Sequence, residues 1–176
     1  MWICAVQKIV IIWVLCLINI TQVNAMGLFD FLKINVFTET EGILTQAGKP
    51  LSEVEIRLDV RVVFNDEQFH VNTKTNSEGK FKFAEIKANS INTILPSAKM
   101  VNQKIVATYQ EKEYVLWDMV KNNYEKNGEL NDLSESNNAL IPMVLNCDLD
   151  NELKTRRAGT HEHVALSGIC RLDNEK

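Results

Sequence analysis

Between residues 53 and 64 the chain alternates with little interruption. Val54, Ile56, Leu58, Val60, Val62 and Phe64 are apolar, and Glu53, Glu55, Arg57, Asp59 and Arg61 are charged until Val63 breaks the rule. A period of two puts one set on each face of a strand, whereas a helix would scatter both sets around its circumference. The pattern predicts a long β-strand with one dry and one wet face. Residues 68–75 alternate again, with Phe69, Val71, Thr73 and Thr75 opposed to His70, Asn72 and Lys74. Lys80-Phe81-Lys82-Phe83 repeats the pattern with its aromatics inward. Turn-forming residues at 65–67 and 76–79 separate the three runs, so they read as an antiparallel meander.

Further strands are expected at 34–38 and 41–45. Residues 46–50 turn the chain, Gly48 supplying a positive φ and Pro50 a fixed one. Pro96 argues against a central strand in 88–100. Residues 104–109 and 113–117 form a hairpin around Gln110-Glu111-Lys112. Residues 118–126 fit a short helix capped by Asp118, with Gly128 just beyond its end. Residues 127–138 are polar and loop-like, and 139–149 and 163–172 are the last two strands, each carrying one cysteine. The fold class is therefore all-β, an antiparallel Ig-like β-sandwich with one short helix.

The first 25 residues stand apart. Lys8 is their only charge, 9–20 are largely apolar, and 21–25 form a polar exit with Val23 and Ala25 at the −3 and −1 positions. That is the layout of a secretory signal peptide cleaved between Ala25 and Met26. The alternatives are a retained membrane anchor, short for a bilayer span, and translation beginning at Met26 to give a cytosolic protein. Residues 26–33 read as a tether, or else an amphipathic turn at a membrane surface, and 34–176 as one sandwich domain. Cys4 and Cys16 lie in the leader, and Val14-Leu15 lacks the small residue that a lipoprotein site needs. Cys147 and Cys170 remain as one pair, the even count of an exported domain, and a bridge between them would contribute about 3 kcal/mol. In a cytosolic protein they would be two free thiols. A net charge of −4 gives no reason to expect nucleic acid as partner, and a membrane would be met only through an uncleaved leader.

Glu41-Gly42-Ile43-Leu44, Gly48-Lys49-Pro50-Leu51 and Val54-Glu55-Ile56-Arg57-Leu58 together resemble the opening of the carboxypeptidase-regulatory-like, or transthyretin-like, β-sandwich. Residues 73–83, a threonine strand, a glycine turn and an aromatic strand, resemble that module's second signature. The later half, with Trp117-Asp118, Asn146-Cys147-Asp148-Leu149 and Gly168-Ile169-Cys170-Arg171-Leu172, is similar to small bacterial proteins of unknown function built on the same sandwich. The resemblance implies a fold and a bacterial origin but no chemistry.

Candidate chemistry is thin. His161 and His163, two positions apart, would share one strand face and could ligate Zn²⁺ with a third group, although a polar loop between strands accounts for them more simply. His70 is placed on an exterior face. The iron-binding Tyr and His pairs of intradiol dioxygenases find no matching arrangement in Tyr109, Tyr114, Tyr124 and the three His. The C-terminal Tyr-Arg-Gly-Ser of transthyretin-like hydrolases is replaced by another ending, and Ser134 and Ser136 lack a nucleophile elbow. Lys74, Lys80, Lys82, Arg57 and Arg61 would form a basic outer face were Glu53, Glu55 and Asp59 not interleaved. Trp117 with Tyr114 and Tyr124 reads either as a sugar platform or as a cap on the core. The expectation is an exported, non-catalytic binding or structural accessory protein of the cell envelope, without cofactor or metal, meeting a protein or glycan partner. The alternatives are a metal-dependent enzyme using His161 and His163 and a cytosolic accessory of a secretion apparatus.

Overall fold

The computed structural model describes residues 33–64, 66–89, 100–122, 124, 129, 143–158 and 164–173. Those residues hold thirteen strands: β1 (Lys33–Phe37), β2 (Thr40–Gln46), β3 (Lys49–Pro50), β4 (Glu55–Val62), β5 (Glu67–Lys74), β6 (Lys80–Phe83), β7 (Ile86–Asn89), β8 (Val101–Tyr109), β9 (Lys112–Lys121), β10 (Met143–Asp148), β11 (Lys154–Ala158), β12 (Val164–Gly168) and β13 (Cys170–Leu172). Six strands form one sheet in the order β11-β12-β9-β8-β4-β5. A second sheet runs β13-β10-β2-β3, with β6 also on β2, and β1 pairs with β7 separately. Apolar side chains of both main sheets meet in one core, which holds Leu44, Phe81, Phe83 and Leu145 from one and Leu58, Val60, Ile105, Trp117 and Met119 from the other. The all-β sandwich is as the alternation predicts.

β4 is the axis of the six-stranded sheet: Ile56, Leu58, Val60 and Val62 are buried while Arg57 and Arg61 stay exposed. It starts later than the alternation suggests because Glu53 has a positive φ of 58°. Glu53 N–H donates to Thr75 O at 3.0 Å and Thr75 N–H donates to Val54 O at 3.1 Å. Two residues thus oppose one, which is a G1 bulge with Glu53 where glycine is usual.

Four expectations need correction. The three-strand meander does not form, because β5 pairs with β4 whereas β6 pairs with β2 in the other sheet. Phe69, Val71 and Thr73 do lie on the face of β4's core residues, but β5 is a sheet edge and Val71 keeps 37% of its surface exposed. The helix expected over 118–126 is strand as far as Lys121, since β9 stays paired with β8 along its length; residues 123, 125 and 126 of that segment lie outside those described. The final strand expected over 163–172 is two strands in different sheets, and β11 occupies a stretch for which the pattern predicts no strand. The switch falls at Gly168. A Cβ there would collide with the Leu116 carbonyl oxygen, the extra residue of a bulge in β9, so only glycine lets β12 leave so close to that backbone.

β10 joins β13 antiparallel, with Cys147 directly opposite Cys170, and the two cysteines form a buried disulfide. On its other side β10 pairs in parallel with β2.

Candidate functional site

Among the buried polar side chains, three on strands begin a cluster. Along β8, Val101, Gln103 and Ile105 alternate into the core, and along β9, Trp117, Met119 and Lys121 do the same. The third is Asn35 of β1, a strand buried from Asn35 onward. Strand parity puts the Gln103 amide and the Lys121 ammonium where a packed core wants hydrocarbon, and the full burial of β1 from Asn35 onward adds the Asn35 amide.

Glu129 completes the cluster. Its carboxylate and the Lys121 ammonium lie 3.3 Å apart with both side chains fully buried. Thr38 N–H donates to Glu129 Oε1 at 3.0 Å, Thr38 Oγ1 donates to Oε2 at 2.5 Å, and Gln103 Nε2 donates to Oε1 at 2.6 Å. Gln103 Nε2 also donates to Val36 O at 2.8 Å. Both contacts demand the amide nitrogen, so Gln103 Oε1 is turned away and is buried without a partner, as is Trp117 Nε1. An orphaned amide oxygen costs about 1–3 kcal/mol, which the sandwich tolerates to hold this carboxylate.

Lys121 Nζ donates to Asn35 Oδ1 at 2.7 Å and to the Asn35 backbone oxygen at 3.1 Å. Asn35 Nδ2 donates to Glu85 Oε1 at 2.8 Å and to Phe37 O at 3.4 Å. These acceptors fix the amide so that its carbonyl, not its nitrogen, faces the lysine. With Lys121 and Glu129 fully enclosed, no ligand reaches the ammonium or the carboxylate from solvent. The chemistry open to the cluster lies among its own side chains.

The outer face of the six-stranded sheet is a lattice of charges. One row crosses all six strands in register: His70, Asp59, Lys104, Asp118, Ser167, Thr155. His70 Nδ1 lies 2.7 Å from Asp59 Oδ1, Lys104 Nζ 3.7 Å from Asp118, and Ser167 Oγ 2.9 Å from Thr155 Oγ1. Asp59 also accepts from Arg57 Nε at 2.9 Å. Partial burial disfavours the Asp59 carboxylate, but the hydrogen bonds from His70 and Arg57 outweigh it and hold the group below the ordinary carboxylate range.

Residues 40–152 match the family model for DUF6795, a domain of unknown function. The chain belongs to that family. The DUF6795 match takes in Gln103, Lys121, Glu129 and Cys147, while Asn35, Thr38 and Cys170 fall outside it. The buried cluster and the disulfide thus each join the DUF6795 segment to chain beyond it. No curated protein and no solved structure matches the chain.

Of the residues singled out in the sequence, Cys147 and Cys170 are brought together and His70 is exposed on the outer face. Ala25, Met26, His161, His163, Ser134 and Ser136 lie outside the described residues. The basic face is dispersed: Arg57 pairs with Asp59, Arg61 with Asp66, Lys74 with Glu55, Lys80 with Glu78, and Lys82 with Glu39 and Glu41. Lys80 and Lys82 belong to the other sheet. Trp117 is fully buried, so it is core and not a sugar platform. The alternation does not announce the Asn35–Lys121–Glu129 cluster, because the strand it predicts ends at Trp117. Two further steps of the same parity place Lys121 on the dry face.

Proposed function

We propose that this is an exported bacterial β-sandwich with a binding or structural role in the cell envelope, engaging a protein or glycan partner without catalysing a reaction on it. The observation that carries the reading is the buried Cys147–Cys170 bridge. Such bridges persist in oxidising compartments and are rare where glutathione keeps thiols reduced. The leader pattern of residues 1–25 supports the same compartment. On this reading the sandwich is of the carboxypeptidase-regulatory-like kind. Gly42 lying beneath the Phe81 ring, and the Ala47–Gly48 turn after it, support that kinship.

Fractionation of the native cell, with intact mass before and after reduction, tests the proposal. The expected species is periplasmic or secreted, begins at Met26 and gains about 2 Da on reduction, the two hydrogens added across one disulfide. A cytosolic species of unchanged mass would overturn it. Cross-linking in the envelope fraction, followed by recovery of a stable complex, would then identify the partner.

A further inference from the structure

A fully buried lysine is among the rarest residues in a protein interior, and a buried ion pair is weak evidence of stability, because hydrophobic residues of similar volume generally do as well. The arrangement around Lys121 holds more than a pair. An amine, a carboxamide carbonyl and a carboxylate converge in a space closed to water: Nζ to Asn35 Oδ1 at 2.7 Å and Nζ to Glu129 Oε2 at 3.3 Å. These are a nucleophile in contact with both an electrophile and a base, the electrophile held by Glu85 and the base by Thr38 and Gln103. We propose that Lys121 and Asn35 become joined by an intramolecular isopeptide bond, with Glu129 carrying the proton.

The steps balance without an outside reagent. Glu129 takes a proton from the Lys121 ammonium, which removes two opposite charges from a dry interior. The Nζ lone pair then attacks Asn35 Cγ, one carbonyl bond from the oxygen that Nζ already touches, and the π electrons move onto Oδ1. The carbonyl re-forms as the Cγ–Nδ2 bond breaks, and its electron pair leaves with Nδ2. The departing nitrogen takes up the protons shed by Nζ and Glu129 and leaves as ammonium. Glu129 ends as the carboxylate it began, and nothing is oxidised or reduced. Glu85, which accepts from Nδ2 and is itself partly exposed, marks the side from which ammonium escapes. Thr38 and Gln103 are positioning residues, holding the carboxylate through both of its oxygens. Proximity is the source of rate: reacting groups packed in contact act at effective concentrations of about 10⁵ M or more.

The product would link β1 to β9, and with it the start of the sandwich to its six-stranded sheet, by a bond that reducing agents leave intact. The inference does not rest on export, since the reaction needs only the folded domain.

The test is the intact mass of the purified full chain after reduction, with fragmentation of a tryptic digest. The expected mass is about 17 Da below that of the reduced sequence, one ammonia lost per bond formed. The digest should contain a branched peptide joining the segments around Asn35 and Lys121, with no cleavage after Lys121. A full-length mass that persists through days of incubation overturns the proposal. So does a loss of the same size mapped to Asn127-Gly128, where cyclisation of the asparagine would release ammonia without joining two segments. Glu129→Gln should keep the full mass while remaining soluble and folded by circular dichroism, and Asn35→Asp should lose about 18 Da, one water, in place of ammonia. If Glu129→Gln fails to fold, the wild-type mass and branched peptide still decide the matter.

Discussion

Asp148 is one half-buried side chain that sets the geometry of a turn. Its carboxylate accepts from Thr45 Oγ1 at 2.7 Å, Gly48 N at 2.8 Å, Asp150 N at 3.0 Å and Ala47 N at 3.2 Å. Ala47 and Gly48 both have positive φ, 50° and 73°, the pattern of a type I′ hairpin turn. Burial works against the charged form, but the four hydrogen bonds prevail and hold the carboxyl below its ordinary value. A depressed folded-state pKa contributes stability above the unfolded value, about 3.9, and that contribution is lost as pH falls through the folded value. Asp148→Asn should therefore lower stability at neutral pH by about 1–3 kcal/mol, and the deficit should shrink in acid. Denaturant melts of both proteins at pH 7 and pH 3 check this, and a deficit that does not change with pH would refute it. Single residues were only partly legible in the sequence. Gly48 was readable as a turn because its freedom is local, whereas Asp148 was not, because its partners come from a hairpin about 100 positions earlier. Lys121 and Gln103 were readable in principle, as polar residues on the dry parity of a strand, but Glu129 was not, since no periodicity governs a residue beyond the strands.

At the scale of elements, the hairpin of β8 and β9 follows the pattern closely. Its two-residue loop, Gln110-Glu111, has φ of 51° and 62°, so each residue sits in a left-handed conformation that glycine and asparagine occupy at less cost. Replacing the pair by Asn-Gly should stabilise the domain by about 1–2 kcal/mol, and a calorimetric melting temperature that does not rise would count against the turn assignment. Alternating strands were legible wherever one face is dry and the other wet, as in β4 and β9 up to Trp117. β11 was missed because Lys154-Thr155-Arg156-Arg157-Ala158 is an edge strand with no hydrophobic alternation to announce it. Beyond Trp117, local propensity favoured a helix, but pairing with β8 decided the outcome, a tertiary override of a weak local preference. The separation of β5 from β6 was likewise invisible, because a short turn fits a hairpin and a change of sheet equally well.

At the scale of the molecule, β12 and β13 lie in different sheets with only Ile169 between them, so the bridge from β13 to β10 also fastens the two sheets together at that corner. Replacing both Cys147 and Cys170 by serine should cost about 3 kcal/mol. That corresponds to a fall of roughly 6–12 °C in melting temperature at 2–4 °C per kcal/mol, measurable by calorimetry; a smaller fall would place the fastening in the side-chain packing instead. The sandwich class was legible because its alternation is written along the chain, whereas the parallel contact of β2 with β10 was not, since its partners stand 103 positions apart. That contact has a kinetic consequence. The β8–β9 hairpin needs only a tight local closure, of the kind completed in about 1–10 μs, and β4 and β5 can gather beside it early. β2, however, must wait with one edge unpaired until β10 arrives, because the entropy of closing so long a loop has to be met before any of that contact is gained. During synthesis the nascent chain therefore carries an open strand edge until its last third has emerged, and that interval, more than the finished fold, is when the protein is most exposed to pairing with the wrong strand.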